Sequence, residues 1–236
     1  MKERKDPWFP KKVIIAPTDP IYSAVRRAGE SSGRDGRTAL FRYCLLPACG
    51  KKTAAAGPAL GAPAAALLME QLVSKGVREV LLFSVCGSLG PDLEIGDFFL
   101  PTGGISEEGT SHLYLEGPVP QPSKKLTEKI RTVCRAREWE LKEGTIWTTD
   151  APERETPEKI ARYQKEGAFA VDMEFTALAT VAHYYGIEFA ALMVISDERR
   201  SDDTRVGFRT GKFRKRLREG ALLSVEAVSS SAHPYA

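Results

Sequence analysis

The stretch Ala170-Val171-Asp172-Met173-Glu174, with Phe175-Thr176-Ala177-Leu178 behind it, decides how this chain is built. Phe169-Ala170-Val171 reads as a buried strand. From Glu174 onward Leu178, Val181 and Ala182 recur at i+4, i+7 and i+8, the spacing of a helix. A strand that gives way to a helix at a carboxylate marks the edge of an α/β sheet, where such folds keep their chemistry. A second apolar run, Phe189 to Ile195, ends in Ser196-Asp197-Glu198. A single acid at a strand end is usually a helix cap or a loop salt bridge. Two such motifs on successive strands point to a joint role, in which one acid holds a hydroxylated substrate and the other moves a proton.

Alternating elements extend outward from this point. Val13 to Ala16 reads as a first strand, followed by a turn at Thr18-Asp19-Pro20 and a short helix through Val25. The polar, glycine-rich segment 29–36 reads as a mobile loop. Strands are expected at 40–46 and 53–56, paired around Gly50-Lys51, and then a helix at 62–74 stopped by Gly76. Val80 to Val85 is a buried strand, and Phe98-Phe99-Leu100 another, ended by Pro101. Ser123 caps a helix to Arg137 whose apolar side carries Leu126, Ile130, Val133 and Cys134. Thr145 to Thr148 is a strand, and Thr156-Pro157 opens a helix that Gly167 closes. A last helix is expected over about 211–228. The pattern predicts one α/β domain over residues 1–236, with frayed tails at 1–11 and 229–236.

Composition narrows the class. Hydrophobic residues make up 42% of 236 and charged residues 28%, enough for a sizeable core in a water-soluble chain. The net charge is only +3, and the basic residues cluster near the two ends, the second cluster reading as the solvated face of a C-terminal helix rather than a nucleic-acid stripe. Cys44, Cys49, Cys86 and Cys134 have no histidine at metal-ligand spacing, so neither zinc nor any other metal is expected. Free thiols fit a reducing cytoplasm. Residues 1–7 have no apolar signal core, and the apolar run 53–69 is broken by two prolines, so no membrane span is expected.

Six segments in order resemble the nucleoside phosphorylases and nucleosidases of the purine nucleoside phosphorylase and uridine phosphorylase superfamily. They are Gly57-Pro58-Ala59-Leu60-Gly61-Ala62-Pro63-Ala64-Ala65-Ala66, Cys86-Gly87-Ser88-Leu89 before Ile95-Gly96-Asp97, Glu107-Glu108-Gly109-Thr110-Ser111, Trp147-Thr148-Thr149-Asp150-Ala151-Pro152, and the two acid motifs. The resemblance implies a central mixed, partly closed β-sheet flanked by helices, and cleavage of the N-ribosidic bond of a purine nucleoside. Phosphate is the implied nucleophile and co-substrate, with no cofactor. A homo-oligomer, either a dimer or a trimer of dimers, is also implied. The alternatives are a purine nucleosidase that uses water and a nucleoside-binding protein without catalysis.

The resemblance also assigns residues. Cleavage passes through an oxocarbenium-like ribosyl centre. Glu174 would grip the 2′ and 3′ hydroxyls, Met173 would pack on the sugar, and His112 would approach it. Asp197, positioned by Ser196, would protonate N7 of the leaving purine. Trp147, Thr148, Thr149 and Asp150 would wall the base. The nucleophile region departs from the family pattern. Thr18 and Tyr22 replace a glycine and an arginine in the first turn, and Leu82 and Val85 stand at an arginine and a hydroxyl position. Thr18, Gly87, Ser88 and Arg42 are the remaining candidates for holding phosphate, and Asp19 is the only acid near the turn.

Overall fold

A computed structural model describes residues 9–33, 35–38, 40–49, 53–199 and 204–229. In chain order the elements are β1 (Lys12–Ile15), α1 (Asp19–Ala28), β2 (Gly36–Arg37), β3 (Arg42–Leu45), β4 (Thr53–Gly57) and α2 (Ala62–Ser74). Next come β5 (Glu79–Ser88), β6 (Phe98–Ser106), α3 (Lys124–Ala136), β7 (Leu141–Thr148) and α4 (Pro157–Lys165). The chain continues with β8 (Ala168–Asp172), α5 (Phe175–Tyr184), β9 (Glu188–Arg199), β10 (Thr204–Val206) and α6 (Gly211–Ser229).

All ten strands form one sheet, ordered β10-β9-β6-β7-β8-β5-β1-β4-β3-β2, and β9 pairs a second time with β5. That extra pairing closes β9, β6, β7, β8 and β5 into a five-stranded ring, the expected partly closed mixed sheet. Alternation along the strands sends Val13, Ile15, Val80 and Leu82 into one core and Ile14, Leu81 and Phe83 into the other. Helices α2 and α5 cover the first core, while α1, α3 and α6 cover the second. Helix α4 lies over β7 and β8 through Ile160 and Tyr163, the latter stacked on Trp147 at 4.2 Å.

The local signals behave as their chemistry predicts. Ser123 Oγ accepts the Leu126 backbone N–H at 3.3 Å, and Thr156 Oγ1 accepts that of Lys159, so both caps are made. Gly76 and Gly167 take positive φ directly after α2 and α4.

Several boundaries differ from the sequence expectation. β6 runs on through Pro101 to Ser106, because its pairing with β7 shifts by one residue between Pro101 and Gly103 and the missing proline N–H falls at that irregularity. β5 continues to Ser88, and β9 continues past Asp197 to Arg199, where the short antiparallel β10 supports it. Segment 29–36 ends in the short strand β2, which pairs with β3. Phe9, assigned to a frayed tail, is buried and meets the Tyr43 ring edge-on at 5.1 Å. Residues 1–8 and 230–236, and the expected turn at 50–51, lie outside the described residues. Among the described residues no helix is long and apolar enough to cross a membrane.

Candidate active site

A cavity of about 280 Å³ opens at the sheet edge where β5, β8 and β9 end. Met173, Glu174, Ser196 and Asp197 line it together with Thr18 and Gly87, so the structure gathers the two acid motifs at one place.

Glu174 sits between β8 and α5, almost wholly buried. Its Oε1 accepts the backbone N–H of Gly61 at 2.8 Å, just ahead of α2. Burial, then the nearby Asp172 carboxylate, push the Glu174 carboxyl up to about 8, while the Gly61 N–H opposes that rise. Asp172 caps α5. Its Oδ2 accepts the N–H groups of Glu174 at 3.1 Å and Phe175 at 2.7 Å, and its Oδ1 accepts Thr148 Oγ1 at 2.6 Å. Burial raises it to about 6 even against those donors. The sequence named Asp172 only as part of the motif. Its spacing of three residues from Phe175, the first helical residue, was the signal for a cap.

Asp197 owes its direction to a bulge. Cys86 pairs with Ile195 and Gly87 with Asp197, so Ser196 is one extra residue in β9. Because side chains alternate across a sheet, that single insertion decides which face receives the acid. Ser196 Oγ then donates to Asp197 Oδ1 at 2.6 Å, and Arg199 Nε donates to Oδ2 at 2.7 Å. Arg199 Nε is also 3.3 Å from Oε2 of Glu155, whose side chain is 5% exposed. Burial pushes the Glu155 carboxyl up to about 7. Arg199 pulls it down, while Asp197, Glu153 and Glu107 push it further up. Cys86, in the same wall, is a thiol driven well above its ordinary value by burial and by the charges of Asp172 and Asp197.

Other expected site residues lie outside the cavity. Trp147 is fully buried and its Nε1 donates to Glu107 Oε2 at 3.2 Å. Thr148 is spent on Asp172, Thr149 Oγ1 accepts the Ala151 N–H, and Asp150 Oδ2 accepts the Gly109 N–H. These four are a buried scaffold and loop ties, and the cavity wall beside Asp197 is instead formed by Pro152, Glu155, Val171, Phe208 and Phe213. Ser88 Oγ donates to Gly90 O at 2.7 Å and does not line the cavity. Arg42 pairs with Asp19 over the Tyr22 ring, also outside it. His112 is exposed in a short turn at 111–113. Ahead of that turn Glu108 is a hub. Burial would raise its carboxyl, but hydrogen bonds from Ser111, Ser106 and the Thr110 and Ser111 N–H groups outweigh burial and hold it low.

Sequence reasoning missed Glu155 and Arg199. Glu155 meets Arg199 only across the fold, and Arg199, although it lies two residues after Asp197 and donates to it, stands in a polar stretch that marks no site. Among the described residues no cluster of histidine, cysteine or acidic side chains has the geometry to hold a metal ion.

Comparison with known proteins gives a consistent picture. A purine nucleoside phosphorylase of DeoD type from Caldanaerobacter subterraneus is 30% identical over 151 residues, covering 63% of this chain and 65% of that protein. A guanosine phosphorylase from Halorubrum lacusprofundi is 30% identical over 138 residues, covering 58% of this chain and 57% of its own. The matches thus span less than two thirds of these curated relatives. Among solved structures, a purine nucleoside phosphorylase from Toxoplasma gondii in complex with immucillin-H superposes with a TM-score of 0.81 at 16% identity, covering 94% of this chain and 91% of that one. The 5′-methylthioadenosine/S-adenosylhomocysteine nucleosidase of Helicobacter pylori gives 0.75 at 21% identity, with coverage of 92% and 95%. The model of the phosphorylase superfamily matches residues 18–228, and the chain belongs to that superfamily.

Proposed function

We propose that this protein cleaves the N-ribosidic bond of a purine nucleoside and transfers the ribosyl group to phosphate. The observation that carries the reading is the meeting of Glu174 and Asp197 in one cavity, each carboxyl held by its own hydrogen bond. Glu174 accepts the 2′ and 3′ hydroxyls, and Met173 packs on the sugar. As the C1′–N9 bond breaks, its electron pair goes to the purine, and a proton from Asp197 to N7 neutralises the developing charge. The acceptor oxygen forms the new bond at C1′. Phosphate as acceptor is supported by the named activities of the curated relatives and by Thr18 and Gly87 in the cavity wall.

One observation favours water as the acceptor instead. Among the described lining residues four carboxyl groups (Glu155, Asp172, Glu174 and Asp197) face a single guanidinium, that of Arg199. A phosphate dianion is costly to bury without cationic donors. In the same reading the protein is a homo-oligomer, supported by the exposed apolar side chains Leu60, Leu67, Leu113 and Tyr184. The deciding experiment incubates the protein with a panel of purine nucleosides, with and without phosphate, and detects free base and sugar product. Ribose 1-phosphate whose rate climbs with phosphate is the expected result. Free ribose at an unchanged rate without phosphate establishes the hydrolase, and no base from any nucleoside leaves only a binding protein.

A further inference from the structure

We propose that Glu108, acting through Thr176, positions Glu174 for the ribose hydroxyls, an inference that rests on Glu174 as their partner. Glu174 stands at the N-cap of α5, yet its side chain caps nothing. A polar side chain at that place ordinarily turns back to accept the N–H of the second or third helical residue. Here other elements have taken the early donors. Asp172, at the end of β8, accepts the N–H groups of Glu174 and Phe175, and Thr148, at the end of β7, accepts that of Thr176 at 3.2 Å. The Glu174 carboxyl is left to meet the Gly61 N–H and to line the cavity.

Thr176 holds this arrangement from behind. It is fully buried, and its Oγ1 donates to Glu108 Oε1 at 3.0 Å. Its methyl packs on Gly104 of β6, where a Cβ would stand 2.7 Å from Cγ2. Both branches of the side chain are therefore engaged, and the second residue of α5 cannot shift without breaking a contact. Glu108 serves as the anchor because it is itself fixed. Only 5% exposed, it also accepts Ser106 Oγ at 2.8 Å, Ser111 Oγ, and the N–H groups of Thr110 at 2.6 Å and Ser111 at 3.1 Å. Burial opposes its charge, but these donors outweigh burial and keep it ionised.

The electrostatics follow the same line. Burial raises the Asp172 carboxyl against its donors, and the Glu108 charge adds to that rise. Burial and then Asp172 raise Glu174 in turn. Glu108 thus bears on Glu174 through the backbone of α5 and through the charge of Asp172, without lining the cavity itself.

Isothermal titration calorimetry tests this without relying on turnover. The probes are 9-deazainosine, a C-nucleoside whose carbon–carbon link between base and ribose resists cleavage, and its 2′,3′-dideoxy analogue. The native protein is expected to bind the first at least about tenfold more tightly, the worth of a hydrogen-bonded carboxyl. Thr176→Val replaces the hydroxyl by a methyl and leaves Glu108 its other donors. It should cut that ratio about threefold or more while the dideoxy affinity holds within about twofold, and Thr176→Ser should restore the native ratio. Glu108→Gln serves if the valine variant loses its near-UV signature. An unchanged ratio in a folded variant overturns the inference even where the urea midpoint falls, as does equal weakening of both ligands. Unfolding of both variants also overturns it, since the network then holds the core and not the aim. A native protein that binds both ligands equally removes Glu174 from the sugar, a different failure from a preference that Thr176 does not influence.

Discussion

Gly87 and Asp197 face one another across the β5–β9 pair so closely that a Cβ on Gly87 would stand 3.0 Å from Asp197 Oδ2. The same Cβ would lie 3.2 Å from Val171 and 3.3 Å from the Arg199 stem. The Asp197 carboxyl has little room to yield, because Ser196 and Arg199 hold its two oxygens. Gly87→Ala should therefore fold and yet slow nucleoside cleavage by about 10- to 100-fold, since small misplacements of reacting groups are costly. Turnover compared with thermal unfolding of the same variant checks this. Native turnover would show that the acid tolerates displacement.

The protonation step has its own signature. Asp197→Asn should slow natural purine nucleosides by about 10²–10⁴-fold, the range of general acid catalysis. A nucleoside whose base departs without protonation should be affected much less. Equal slowing of both substrates, measured as kcat/KM, would assign Asp197 to binding alone.

Glu174 links the sugar site to pH-dependent stability. Its folded carboxyl titrates at about 8, above the 4.5 of a free glutamate, so between those values the native state holds a proton that the unfolded chain releases. Its contribution to stability is present at low pH and is lost as pH rises through about 8. Glu174→Gln removes the charge. The variant should be more stable than the native protein at pH 9, by on the order of a few kcal/mol, and about equal to it at pH 4. Urea titrations at the two pH values measure the difference. Riboside turnover in the same variant should fall by a factor corresponding to about 2–4 kcal/mol.

Asp172 holds the start of α5 through two backbone N–H groups and fixes Thr148 besides. Asp172→Ala leaves those donors buried without a partner and should cost about 1–3 kcal/mol of stability. A lowered urea midpoint with an unchanged m-value is the expected result. An unchanged midpoint would mean that water replaces the carboxylate.

The residues that were legible in the sequence are those whose neighbours in the chain carry their meaning. Glu174 stood out because the period changes from strand to helix beside it, and Asp197 because an apolar run ends next to it. Ser123, Thr156 and Gly76 were readable as caps and stops for the same local reason. The walls of the cavity were not. Trp147 to Asp150 follow a strand in the expected place, but Trp147 turns inward onto Tyr163 and its neighbours are used up by Asp172, Ala151 and Gly109. Glu155 meets Arg199 only when the segment after β7 folds over the end of β9, a contact that no local pattern encodes. Pro101 misled for the opposite reason, because a breaker is tolerated where the pairing register slips.

Gly87 pairs with Val171 of β8 on one side and with Asp197 of β9 on the other. The acid assigned to the sugar leaves β8 three residues after Val171, and the acid assigned to the base sits on β9 itself. A single strand, β5, therefore separates β8 from β9, and the two flanking strands stand two rungs of the backbone ladder apart, roughly 10 Å. Side-chain substitutions can change what each end grips, but they leave the span between the ends in place. In the proposed function that span would make the ring a fixed gauge, sorting ligands by length from sugar hydroxyls to the remote face of a base before any individual contact tests their chemistry.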